Sequence, residues 1–207
     1  MHLMAILVTD HRLEERLKAE REVSGADRYD EVWEGIYMIT PMPTEHQYLV
    51  ARMTAVLLEV IGGPELGMVC PGVNLSREDI EDWTQDYRVA DVAVLLPGSR
   101  GKDCDTHWRG GVDFLIEVAS PGDRTREKIP FHSRIGVVEL LLVDRESWTF
   151  ELYRREKGQL HEVGRSSLDA PQVLSSAAVL VTFQLVSGDP RPQIRVTHVH
   201  SGRQWVI

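Results

Sequence analysis

Residues 87–96 read YRVADVAVLL and residues 113–119 read DFLIEVA, so each apolar run carries one carboxylate in its middle, Asp91 and Glu117. Their length and their content of Val, Leu and Ile predict two strands buried in a sheet. An ionised carboxylate is costly to bury unless it is paired, hydrogen-bonded or bound to a metal. Strands that follow one another along a chain are often neighbours, and neighbouring strands let the two acids converge. Two carboxylates, with water and a phosphate oxygen in the remaining positions, make a set of hard oxygens that Mg²⁺ prefers. The alternative is that each acid ends its strand at the sheet surface or pairs with an arginine such as Arg88 or Arg124.

The segments around these strands are also legible. Leu49, Val50, Met53, Val56, Leu57 and Val60 recur at helical spacing behind a Thr44–Gln47 capping-box pattern, and Gly62, Gly63 and Pro64 end the helix. Before it, Tyr29 to Thr40 alternates around Gly35 as a helix end or turn feeding a strand, stopped by Pro41 and Pro43. Residues 10–28 predict an exposed, weakly amphipathic helix with Leu13 and Leu17 among charges. Met68 to Leu75 predicts a strand, and SREDIEDWTQD an irregular loop. The connection between the two acid-bearing strands is rich in Gly and charge and has no core pattern. Arg124 to Arg134 has helical character, but Pro130 delays the helix to about Glu127. Val137 to Val143 predicts another strand, residues 148–163 a hairpin turning at Lys157-Gly158, and the tail a strand VLVTFQLV with a last hairpin on Ser201-Gly202. His198 and His200 share a strand face, where a surface pair is expected over a metal pair.

Composition bounds the class. With 207 residues, 43% hydrophobic and 27% charged, the chain fits one globular domain. The expected division is a helical extension over 1–28, a core over 29–165 and a β extension over 166–207 packed on that core. A net charge of -9 weighs against a generic nucleic-acid binder, because Lys and Arg supply most non-specific affinity for phosphates. A bound cation and a local basic patch can reverse the field in one cleft. The opening MHLMAILV lacks a basic start and a small-residue cleavage site, and no run is long enough to span a bilayer, so a cytoplasmic protein without membrane contact is expected. Cys70 and Cys104, far apart and outside any CxxC pair, read as free thiols. The GxSxG elbow, the GxxxxGK[ST] loop, HExxH and a GxGxxG after a strand are all absent.

EVWEG at 31–35, PMPTEHQ at 41–47, the Asp91 strand, IEVASPGDR at 116–124 and Lys128 followed by IGVVELLLVD at 135–144 resemble the Uma-two family, bacterial proteins described as restriction endonucleases of the PD-(D/E)XK superfamily. The resemblance spans roughly residues 28–165, and its most specific part is the spacing from Lys128 through Gly136, Glu139 and Asp144. It implies a mixed α/β fold, a restriction-endonuclease-like central mixed sheet flanked by helices, here with C-terminal β-hairpins. It also implies an Mg²⁺- or Mn²⁺-dependent endonuclease acting on DNA, with Asp91 and Glu117 as metal ligands. Lys128 matches a lysine displaced from the second strand onto the following helix, Glu31 a first-helix acid, and His46 a recurrent histidine. Arg124, Arg126 and Arg134 are candidates to meet substrate phosphates, Arg124 and Arg126 foremost, and a homodimer is the expected assembly. The pattern departs from the family at Ala90 for Pro, Ala119 for an unmoved Lys, His132 for Tyr, and Leu140 and Leu141 for an aromatic pair. The competing reading is a nuclease-fold module that binds or self-associates without cutting.

Overall fold

The computed structural model describes residues 6–207, so the reading of the first residues as no secretion leader falls largely outside the described part. In chain order the elements are β1 (Ile6–Val8), α1 (His11–Ser24), β2 (Glu31–Trp33), β3 (Ile36–Ile39), α2 (Thr44–Leu57), β4 (Met68–Ser76), β5 (Tyr87–Leu95), β6 (Lys102–Asp103), β7 (Trp108–Arg109), β8 (Phe114–Ala119), α3 (Ile129–Ile135), β9 (Glu139–Asp144), β10 (Thr149–Glu156), β11 (Gln159–Ser166), β12 (Leu174–Ser175), β13 (Val181–Val186), β14 (Gln193–His198) and β15 (Gln204–Val206). A π-helical turn, Leu58–Gly62, prolongs α2, and a 3₁₀ turn, Thr125–Lys128, leads into α3.

The fold is mixed α/β. Among the described residues a mixed sheet runs β1-β3-β2-β5-β8-β9-β10-β11, with β4 along β5 and the short β6 and β7 beyond it, and β12 to β15 form a second, antiparallel sheet. β8 and β9 are parallel, as the α3 crossover requires. One apolar cluster packs α2 and the face of Val92, Val94, Phe114, Ile116 and Val118 against β13 and β14, with Phe114 stacked on Phe183 at 5.9 Å. The opposite face, with Ala93, Leu95, Leu115 and Ala119, packs against Phe131 and Ile135 of α3. Strand alternation puts Glu117 on this second face, beside His132 of α3, whereas Asp91 meets His46 of α2.

Several local expectations are corrected. Thr44 does not cap α2: the helix starts from extended Pro43, no side chain makes a cap hydrogen bond, and Thr44 is already inside the first turn. Glu31 lies in strand β2 and not in a helix, because β2 and β3 form a hairpin whose turn is taken by Glu34 and Gly35, both at positive φ. α3 begins at Ile129, close to the expected start near Glu127, and Pro130 sits in its first turn, where the missing N–H costs nothing. The connection without a core pattern contains β6 and β7. The last hairpin closes over a longer loop than Ser201-Gly202, since the His198 N–H bonds the Arg203 carbonyl. The Lys157-Gly158 turn has both residues at positive φ, as a two-residue hairpin turn demands. α1 contributes no buried residue.

Candidate active site at a fork in the sheet

β4 runs along one edge of β5 from Tyr87 to Leu95. The other edge is shared: β2 holds it at Tyr87, and β8 holds it from Val92 to Val94. Between these contacts the sheet forks, and the backbone there needs other partners. Side chains provide them. Glu31 Oε1 accepts the Val89 N–H at 2.9 Å, the Lys128 ammonium donates to the Val89 carbonyl at 3.2 Å, and Asp91 Oδ2 accepts the Val118 N–H at 2.7 Å. The β5–β8 register ends at the pair Val92–Ile116, so Asp91 and Glu117 stand one step further on, at the mouth of the fork.

Six ionisable side chains meet at this fork, none more than 7% exposed: Glu31, His46, Asp91, Glu117, Lys128 and His132. Lys128 Nζ is 2.7 Å from Glu31 Oε1 and 3.3 Å from Glu117 Oε2. His132 Nε2 is 2.9 Å from the other Glu117 oxygen, and His46 Nε2 is 3.1 Å from Asp91 Oδ2. Trp33 fixes Glu31 by donating from Nε1 to Oε2 at 2.6 Å. Neither Arg88 nor Arg124 is the partner of the two strand acids. Arg88 pairs with Asp86 and Arg124 with Glu127.

Burial and charge act in opposite directions here. Burial pushes the Glu117 carboxyl well above the usual carboxylate range, reinforced by Asp91 and Glu31 and opposed by Lys128. Burial also acts on Asp91, but His46, Lys128 and the Val118 N–H outweigh it and hold that carboxyl below its ordinary value. Lys128 is held charged because three acids overcome its own desolvation. His132 is pushed down to about 3 by burial and by Lys128, so its ring is neutral. Asp91 draws His46 upward against burial. The two strand carboxylates therefore differ in proton affinity, an asymmetry that acid–base chemistry uses.

A small cavity of about 20 Å³, room for one water, opens at the fork and is lined by Glu31, Trp33, His46, Asp91, Arg124 and Lys128 among others. Glu117 does not line it and lies behind Lys128. Arg126 is elsewhere, with its guanidinium on Glu151 and Asp144. Among the described residues no three His, Cys, Asp or Glu side chains form a ready metal site. The donor chemistry nevertheless fits a hard cation: the Lys128 ammonium is itself held by three oxygens, from Glu31, Glu117 and Val89. Asp91 Oδ1 accepts no hydrogen bond among the described residues, and Asp91 borders the cavity.

The family comparison matches residues 13–187. This chain belongs to the Uma2 family. The family's description is "Putative restriction endonuclease". Among solved structures, the Uma2 chain is similar to a "putative nuclease belonging to DUF820" from Anabaena variabilis, with TM-score 0.50 and 18% identity over 64% of this chain and 75% of that one. At that identity the likeness concerns the fold. Among curated proteins none matches.

In the sequence His132 stands out only as a departure from the family pattern. Its position four residues after Lys128 is the signal available there, because residues four apart share a helix face. Trp33, Ser120 and Asp123, which also border the cavity, carry no comparable signal.

Proposed function

We propose that this Uma2 protein is a metal-dependent endonuclease that hydrolyses phosphodiester bonds of DNA, with Asp91 and Glu117 as ligands of Mg²⁺ or Mn²⁺. The observation that carries the reading is the convergence of Asp91, Glu117, Glu31 and Lys128 at the fork, beside a cavity open to one oxygen-sized group. Such burial of like charges is costly for stability alone, and perturbed carboxylates in a cleft are what a hydrolytic site needs.

A divalent cation, when bound, supplies polarisation of a phosphoryl oxygen and a more acidic water. Asp91 and Glu117 would hold it, with Glu31 adjacent. His46 keeps the Asp91 carboxylate in one orientation through its Nε2 contact. Lys128, which borders the cavity, would offer its ammonium to the charge that builds on the phosphoryl group. Arg124, over the Trp33 ring at 5.1 Å, borders the cavity and would reach a substrate phosphate by exchanging its pair with Glu127 for it. Arg126 takes that role only by leaving Glu151 and Asp144. A homodimer working in the cytoplasm completes the proposal.

The non-cutting alternative is favoured by one observation: Lys128, His46 and His132 already satisfy the acids, so the cluster is complete as a buried polar network. Incubation of supercoiled DNA with the purified protein in Mg²⁺ or Mn²⁺ separates the two readings. Cleavage that Asp91→Ala and Glu117→Ala each abolish, with circular dichroism unchanged, supports the nuclease. Absence of cleavage in either metal, or cleavage that survives both substitutions, overturns it.

A further inference from the structure

A second cavity, about 380 Å³, is lined by Arg77, Glu78, Asp79, Arg100, Arg134, Ile135, Gly136 and Arg155. Four guanidiniums on one cavity are conspicuous in a chain of net charge -9. The geometry points to a phosphate-binding site at which Arg100, Arg134 and Arg155 hold the backbone of a nucleic-acid strand.

The partners of each arginine decide which are available. Arg77 is neutralised by Asp79 at 2.5 Å and Asp86 at 3.5 Å. Arg155 donates one N–H to the Ser133 carbonyl at 2.7 Å, which fixes its direction without cancelling its charge. Arg134 has only a loose approach of 3.8 Å to Glu34. Arg100 has no carboxylate partner among the described residues. Three cations therefore face the cavity with charge to spare, against Glu78 as the remaining lining acid. Glu34, in the β2–β3 turn, approaches Arg134, and its chain neighbour Trp33 borders the fork. A strand lying across the β2–β3 turn could place one phosphate at the fork and another among the arginines. A cluster of arginines suits phosphate oxygens through forked donors, and a local basic cleft overrides an acidic surface at short range.

The assignment of the phosphate to a nucleic-acid strand rests on the nuclease reading, but the site does not. The test is fluorescence anisotropy of a labelled DNA duplex against the full chain in EDTA across a salt series, with wild type, Arg100→Ala, Arg134→Ala and Arg155→Lys. Inorganic phosphate is titrated separately by heteronuclear NMR. The expected result is weaker duplex binding in the two alanine variants, with a log–log salt slope shallower by about 0.9 for each phosphate that is no longer neutralised. Arg155→Lys, which keeps the charge and fold, should lower affinity while keeping the slope. Unchanged affinity and slope in the alanine variants, or a wild type that binds neither duplex nor phosphate, overturns the site. Phosphate shifts at these arginines without duplex binding overturn the strand as its source. If the variants weaken binding while wild type cuts nothing with metal, the site stands and the nuclease reading falls. Wild-type cleavage with binding indifferent to the arginines gives the reverse.

Discussion

Lys128 lies closer to Glu31, at 2.7 Å, than to Glu117, at 3.3 Å. The lysine thus bridges β2 and β8 across the fork and ties the edge hairpin to the centre of the sheet. Removing it leaves Glu31 and Glu117 buried without a cation, a change that costs about 3–5 kcal/mol when one partner of a buried pair is removed. Lys128→Met is expected to lower unfolding stability in urea by that amount. Adding Glu117→Gln should recover part of the loss, since the carboxylate then no longer needs compensation. A Lys128→Met protein as stable as wild type would mean that the ammonium is not what holds the acids together.

Gly111 makes a different kind of demand. A β-carbon there would stand 2.1 Å from the backbone carbon of Gly136 and 2.4 Å from the Val137 nitrogen. Neither neighbour is a flexible side chain, so the backbone itself must move. Gly111→Ala should therefore destabilise by about 2 kcal/mol or more, measured as a shift of the urea midpoint at constant slope. Gly35→Ala meets no atom within 4 Å, and its cost should be the smaller one of a left-handed backbone.

The acid limb of the stability curve should report Glu151. Burial opposes its ionisation, yet Arg126, Tyr153 and Arg165 outweigh burial and hold its carboxyl below the ordinary value. A carboxyl depressed in the folded state contributes stability that is fully present above the unfolded value, about 4.3 for Glu. That contribution is lost as the pH falls through the lower folded value. Thermal melts of wild type should therefore decline more steeply below about pH 4.3 than those of Glu151→Gln. Parallel curves for the two proteins would show that the cluster does not link folding to protons.

His46 is predicted to act through Asp91. Its Nε2 contact orients that carboxylate, and its other ring nitrogen, Nδ1, has no hydrogen-bond partner among the described residues. His46→Ala should lower kcat for DNA cleavage while KM changes little, because no substrate contact is removed. A rise in KM alone would make His46 a substrate contact.

The strands carrying Asp91 and Glu117 are legible in the sequence because a carboxylate in an apolar run is costly, and that cost forces a partner. The partners are less so. Lys128 is visible through the family spacing. Its bond to Glu31 is not, because the resemblance places Glu31 on a helix whereas the Glu34-Gly35 turn folds it into a strand. The capping pattern at Thr44 misleads for a related reason: Pro43, two residues after Pro41, already sets the helix start. His132 stands at helical spacing from Lys128, but a histidine alone does not announce a buried carboxylate beside it. The fork is a property of three strands at once. Val32 pairing with Tyr87 and Ile116 pairing with Val92 leave the gap only when both exist, and no local pattern encodes that.

The most direct test is Mn²⁺ binding followed by electron paramagnetic resonance on wild type, Asp91→Ala and Glu117→Ala at equal concentration. Wild type is expected to bind one Mn²⁺ per chain, with affinity falling at least about tenfold in each variant, the loss of about 1.4 kcal/mol that removal of a charged ligand should exceed. Mn²⁺ bound equally by all three proteins would contradict the assignment of Asp91 and Glu117 as the metal site.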